Sequence, residues 1–311
     1  MIILKLIRCS ISRKTKILQA ITAVLLASSV LTLHAEEVTQ QFKGLTINAN
    51  LEIAENKNLE DGVVLLVHGL MGHSKMEIME ASQQNLLENG MSSLAINLSL
   101  GVDNRKGFFD CTWPHTYGQS DALDEISVWV AWLRDKGVEE VILMAHSRGS
   151  NEAMVYSVVQ KDPEITHLVM MAPGTDDSKD RFEERYGPVF DETMKRIRDE
   201  VAAGRGDELL ENVDFWWCPR ATVTPNTFIS FYDENSEYRK FDVFLPRTNV
   251  PTLIITASAD ERIPNIEKHV KPFVDGKRIQ LVEIEDSGHF FLDLNLEEAI
   301  EAMLVFLDNT N

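Results

Sequence analysis

The chain has 311 residues, 44% of them hydrophobic, with 49 acidic and 30 basic side chains and a net charge of -19. That apolar share supports a sizeable core, in one large domain or two small ones. So acidic a surface repels nucleic acid and anionic membranes, which argues against both as partners.

The N-terminus stands apart from this body. Lys5, Arg8, Arg13, Lys14 and Lys16 make a basic start with no acidic residue before Glu36. An apolar stretch follows from Ile17 to Leu33 and closes on Leu33-His34-Ala35. This pattern reads as a secretory signal peptide over residues 1–35, cleaved near Ala35, with the mature protein periplasmic or secreted; an uncleaved membrane anchor is the alternative reading. Thr22, Ser28 and Ser29 interrupt the apolar stretch, so no stable membrane span is expected after cleavage.

Gln41 to Ala54 is expected to form an antiparallel edge hairpin. From residue 62 onward, short apolar runs alternate with amphipathic segments. Val63–Val67, Ser93–Asn97, Val141–Met144, His167–Met171, Thr252–Thr256 and Ile279–Ile284 read as strands. Lys75–Glu88, Tyr117–Lys136, Ser150–Gln160 and Leu296–Leu307 read as helices, the first stopped by Gly90 and the second by Gly137. The alternation predicts an α/β fold with a mostly parallel central sheet flanked by helices. Residues 36–174 and 250–311 would form this core. Residues 175–249 break the pattern and contain no strong buried-strand run. Phe190, Met194, Ile197 and Val201 mark a helix there, so a helical cap or lid is expected over 175–249.

The chemistry concentrates after the strands. Ala145-His146-Ser147-Arg148-Gly149 puts a serine between small residues at a strand-to-helix junction, the setting of a nucleophile elbow, with Ala145 in place of the usual first glycine. His68-Gly69-Leu70-Met71-Gly72 follows a strand, where glycines let the backbone aim N–H groups at a developing oxyanion. Asp260 and His289 each follow a later strand. Histidine is the natural base near neutral pH, and a carboxylate orients it. C-terminal strand ends of a parallel sheet are where such sites form.

In this order and setting, the Gly69 loop, Ser147, Asp260 and His289 resemble the α/β-hydrolase family of serine esterases and lipases, over residues 40–311. The resemblance implies a Ser147-His289-Asp260 triad, oxyanion donors at the Leu70 and Arg148 backbone N–H groups, and a cap at 175–249. It implies hydrolysis of a carboxylic ester on a small acyl substrate through an acyl-enzyme, without a cofactor. Asp176 is a rival position for the acid, since some members place it there. Aminopeptidase-type and thioesterase activities use the same machinery, and a non-catalytic binding protein keeping the fold is a third reading. Two cysteines follow the leader, Cys111 and Cys218, and an even pair in an oxidising compartment is a disulfide candidate. No metal-ligand spacing occurs. Phe215, Trp216 and Trp217 sit together in the cap segment. Trp216 and Trp217 are candidates for a substrate wall, against the alternative that they anchor the cap.

Overall fold

A computed structural model of the chain describes residues 36–174 and 179–310. The expected leader and Asp176 lie outside the described residues. Ten strands are described: β1 (Glu36–Phe42), β2 (Leu45–Glu52), β3 (Val63–Val67), β4 (Ser93–Asn97), β5 (Val141–His146), β6 (Ile165–Met171), β7 (Leu210–Phe215), β8 (Cys218–Val223), β9 (Thr252–Ala257) and β10 (Ile279–Ile284). The helices are α1 (Glu77–Glu88), α2 (Gln119–Asp135), α3 (Arg148–Val159), α4 (Lys179–Tyr186), α5 (Phe190–Ala202), α6 (Pro225–Tyr232), α7 (Phe241–Phe244), α8 (Ile266–Val270) and α9 (Leu294–Thr310).

Eight strands make one sheet in the order β1-β2-β4-β3-β5-β6-β9-β10, parallel from β4 onward. The hairpin β1–β2 is antiparallel and closes one edge. The alternating pleat explains how both faces are buried. Val63, Leu65 and Val67 of β3 point into a core with α2 and α3, through Ile126, Trp129, Ala153 and Met154. Val64 and Leu66 point the other way, into a core with α1 and α9, through Ile78, Leu86, Ile300 and Phe306. Strands covered on both sides must be apolar at every position, which is why they read as unbroken runs. This is the α/β-hydrolase fold.

The insertion between β6 and β9 is not wholly helical. Besides α4, α5 and α6 it carries the hairpin β7–β8. Only alternate residues of β7 are buried, and Pro219 and Arg220 lie exposed in β8, so no apolar run marks either strand. The insertion also ends early as a separate layer. Phe241, Phe244 and Leu245 pack into the body core beside α3. Some element ends move too. Helix α1 starts at Glu77 and α2 at Gln119, each two residues later than expected, while α3 starts at Arg148, directly after Ser147. Among the described residues no helix is long and apolar enough to cross a membrane.

Candidate active site

From β3 the chain goes first to β4 on one side of the sheet and then to β5 on the other. The connections leaving β3 and β5 therefore diverge above neighbouring strand ends, the place where open parallel sheets commonly bind ligands. Ser147 stands there, on the turn between β5 and α3. Its backbone is held at φ 53° and ψ −124°, a conformation that L residues seldom adopt. Three backbone hydrogen bonds hold it. Ser147 N–H donates to Met171 C=O at 2.8 Å, and Ser147 C=O accepts from Ser150 N–H at 3.0 Å and Gly174 N–H at 2.9 Å.

The flanking small residues have different tasks. A Cβ on Gly149 would sit 2.4 Å from the His68 carbonyl oxygen and 2.8 Å from that of Val67, so α3 crosses β3 too closely for any side chain. Ala145 is fully buried in the body core and its methyl group is accommodated there.

The structure brings the expected triad residues together. His289 Nε2 is 2.9 Å from Ser147 Oγ, and His289 Nδ1 is 2.7 Å from Asp260 Oδ2. A carboxylate only accepts, so Nδ1–H donates to Asp260 and Nε2 is left to accept from the serine hydroxyl. The other oxygen, Asp260 Oδ1, accepts from Arg262 N–H at 2.8 Å and Ile263 N–H at 2.9 Å. Burial pushes the Asp260 carboxyl up, but the His289 bond and these two N–H groups outweigh it and hold it below its ordinary value. Asp260 therefore stays ionised beside the imidazole through the weakly acidic range.

Two buried histidines support this constellation, and neither role was legible in the sequence. His146 Nε2–H donates to the His289 carbonyl at 2.8 Å, and its ring lies 4.9 Å from the His289 ring. Burial lowers its pKa to about 3, so it stays neutral. His68 accepts the Leu98 N–H at Nε2 (3.1 Å), which leaves Nδ1–H to donate to Gly69 C=O at 2.8 Å. Burial takes its pKa to about 3 as well. It thereby fixes the Gly69 turn, whose Cα is so near the serine that an added Cβ would lie 3.0 Å from Ser147 Cβ. Arg105 braces the far side of His68. Its guanidinium donates to Leu98 C=O (3.0 and 2.6 Å), Asn97 Oδ1 (2.9 Å) and Gly107 C=O (2.5 Å), while fully buried. In sequence Arg105 looks like any solvated loop cation.

Of the expected oxyanion donors, Arg148 is the first residue of α3, where N–H groups are not used by the helix's own ladder. Leu70 sits on the Gly69 loop and packs against the cap. The Arg148 side chain also reaches the cap. Its guanidinium lies over the rings of Trp216 (5.3 Å) and Phe231 (5.5 Å), with Nε 3.6 Å from Glu152 Oε1. Burial pushes the Glu152 carboxyl up to about 7 against the pull of Arg148.

The cap is an aromatic cluster around Phe182, Phe215, Trp216, Phe228 and Tyr232. It is tied to the loop after β4. Cys111 and Cys218 form a disulfide with Cα atoms 5.3 Å apart. His115 exchanges backbone bonds with Thr222 and Thr224 of the cap, at 2.8 and 3.0 Å. Phe109 N–H donates to Met71 C=O at 3.0 Å, linking the same loop to the Gly69 turn. The two tryptophans separate. Trp216 is 2% exposed inside the cluster, whereas Trp217 is 53% exposed.

A family model for the alpha/beta hydrolase fold matches residues 62–212. No curated protein matches the chain in sequence. Solved structures with a similar fold include Est1E from Butyrivibrio proteoclasticus, at TM-score 0.60 and 17% identity, covering 88% of this chain and 99% of that one. An esterase of Pyrococcus furiosus is similar at TM-score 0.56 and 18% identity, covering 89% of this chain and 92% of its own. A monoacylglycerol lipase of Paleococcus ferrophilus is similar at TM-score 0.56 and 16% identity, with 89% and 100% covered.

Proposed function

We propose, from the premise that this chain is an α/β-hydrolase by fold, that it cleaves a carboxylic ester with Ser147 as nucleophile, His289 as base and Asp260 as its orienting acid. The Ser147–His289–Asp260 chain of contacts at 2.9 and 2.7 Å, mounted on a strained turn, carries this reading. His289 Nε2 takes the hydroxyl proton as Oγ attacks the acyl carbon. The charge that develops on the carbonyl oxygen falls to the N–H groups of Leu70 and Arg148. The imidazolium, stabilised by Asp260, then gives its proton to the departing alcohol. Water repeats the sequence on the acyl-enzyme and frees the acid. The esterase and lipase names of similarly folded proteins favour an ester over an amide. We place the mature protein outside the cytoplasm, with residues 1–35 removed. The Cys111–Cys218 bridge is in keeping with such a compartment.

A fluorophosphonate probe and a panel of p-nitrophenyl esters test the reading together. The parent should label at Ser147 and turn over at least one ester. Ser147→Ala should lose labelling and about a thousandfold or more in turnover with its melting temperature held. Turnover within tenfold of the parent would overthrow the assignment. Intact mass of the exported form tests the leader, since a mass that includes residues 1–35 contradicts cleavage.

A further inference from the structure

Two arginines flank one tryptophan on a path leading out from the triad. Arg262 comes two residues after Asp260. Its Cζ lies 5.0 Å from the ring centre of Phe290, the residue after His289, and the Phe290 and His289 rings are 5.2 Å apart. On its other side Arg262 faces Trp217, in the turn of the cap hairpin, at 6.0 Å. Arg185 of α4 covers that same indole at 3.8 Å and donates to the neighbouring Trp216 carbonyl. The path from His289 through Phe290, Arg262 and Trp217 to Arg185 therefore crosses from body to cap.

The path is basic in a molecule that is acidic as a whole. The chain has 49 acidic residues against 30 basic. Some of the described surface cations, among them Lys43, Arg134, Lys179 and Arg198, are matched to carboxylates, and others are not. Among the described residues neither Arg185 nor Arg262 has a carboxylate within ion-pair distance. Their neighbours are aromatic faces and carbonyls. The indole between them is more than half exposed, although a ring of that size is normally covered. A guanidinium presents a planar fork that matches a carboxylate with two parallel hydrogen bonds. The exposed part of the Trp217 ring suits the methylene chain that would carry such a carboxylate.

We propose that Arg262 and Arg185, with Trp217, form an anion-binding strip at the mouth of the site, and that the substrate is an ester carrying a carboxylate remote from the scissile bond. This rests on the reading of Ser147 as nucleophile. In so acidic a protein, an anionic ester would approach the site only where local positive charge overcomes the general repulsion. The strip supplies that charge beside the reacting groups. Arg262 and Arg185 act on selection, while the bond is broken by the triad.

Two substrate pairs test this on the purified protein. Mono-p-nitrophenyl suberate is set against the analogue with a primary amide in place of the free carboxylate, so the charge lies on the acyl side. The butyrate ester of hydroxyhexanoic acid is set against its own primary amide, so the charge lies on the alcohol side. The parent should favour the carboxylate by about fivefold or more in kcat/KM in one pair, and the preference should shrink as salt rises. Arg262→Gln and Arg185→Gln should each bring the ratio toward unity. Arg262→Glu should invert it, and Arg262→Lys should keep most of it. A parent ratio at or below unity in both pairs overturns the proposal. So does a ratio unchanged in the variants while both rates and the melting temperature fall, because the arginines then only tie cap to body. If Ser147 labels with fluorophosphonate but neither pair is hydrolysed, protection of that labelling decides. Suberate should slow labelling more than its diamide does, and equal protection overturns the strip alone. An unlabelled Ser147 removes the nucleophile reading, and the strip falls with it.

Discussion

The body and the cap solve the same burial problem with different materials. In the body, inner strands such as β3, β4 and β9 are sealed on both faces, and each is held along its length by two neighbours. In the cap, aromatic rings pack edge to face around a two-stranded hairpin, with few backbone ladders to fix them. A disulfide and a few backbone bonds then set the cap's position on the loop after β4. The proposed triad, Ser147, His289 and Asp260, stands wholly on the body's strand ends, whereas the aromatic cluster beside it comes largely from the cap. On the proposed reading, chemistry is placed by the body's strand ends and selection by a layer with few ties to them, as when functional loops are carried on a scaffold.

The sharpest way to break this contrast is inside the body. Gly149→Ala would put a methyl group 2.4 Å from a backbone oxygen, on a helix and strand that cannot separate without opening the core. A loss of about 3 kcal/mol or more is expected, together with most of the activity, since Ser147 and the start of α3 must shift. Chemical denaturation and ester turnover measure both. A stable, active variant would show that the crossing of α3 over β3 is looser than described.

The next effect belongs to the cap. Replacing both cysteines, Cys111→Ser with Cys218→Ser, opens a loop spanning a sequence separation of 107. The expected loss is about 2–4 kcal/mol. It should be local. Limited proteolysis should cut first within 179–239 of the reduced or double-serine protein, while the sheet keeps its protection from hydrogen exchange. If body and cap instead lose protection together, the two regions are one cooperative unit and the contrast drawn above is false.

What could be read from the sequence follows the same division. The bounds of β3 and β4 match the expected runs, because residues sealed on both faces leave a nearly uninterrupted signature. That Ser147, Asp260 and His289 stand at strand ends was legible in a related way, as each follows a recognisable strand. The hairpin β7–β8 was not, since a half-exposed strand with Pro219 in it carries no such run. Helix starts at Glu77 and Gln119 were blurred because the apolar period does not reveal where the backbone first turns. Arg105 and His146 could not be found, because their roles depend on carbonyls brought close only by folding.

A smaller effect tests the contact between the regions, where Arg148 and Glu152 lie under the cap. Burial raises the Glu152 pKa from 4.5 to about 7. A carboxyl whose folded pKa is raised contributes stability that is fully present below its unfolded pKa. That stability is lost as pH rises through the folded value. Glu152→Gln removes this dependence. Its melting temperature relative to the parent should therefore climb between about pH 4.5 and about pH 7 and level off above. A relative melting temperature that falls with pH would mean that the ionised pair with Arg148 outweighs the burial cost.

The smallest effect is expected at the elbow's other small residue. Ala145 stands where the usual pattern has glycine, and it is buried in the core between β3 and β6. Unlike Gly149, it has room for its methyl group. Glycine in a strand interior costs about 0.5–1 kcal/mol through added freedom in the unfolded chain, and here a buried methyl contact would go as well. Ala145→Gly should therefore restore the usual motif and yet lower stability by about 1 kcal/mol, with turnover within about twofold of the parent. The pair of substitutions separates two demands that the motif merges. Close helix-to-strand approach forbids a side chain at 149, while position 145 only limits its size. A marked gain in turnover for Ala145→Gly would instead show that the alanine strains Ser147 away from its best position.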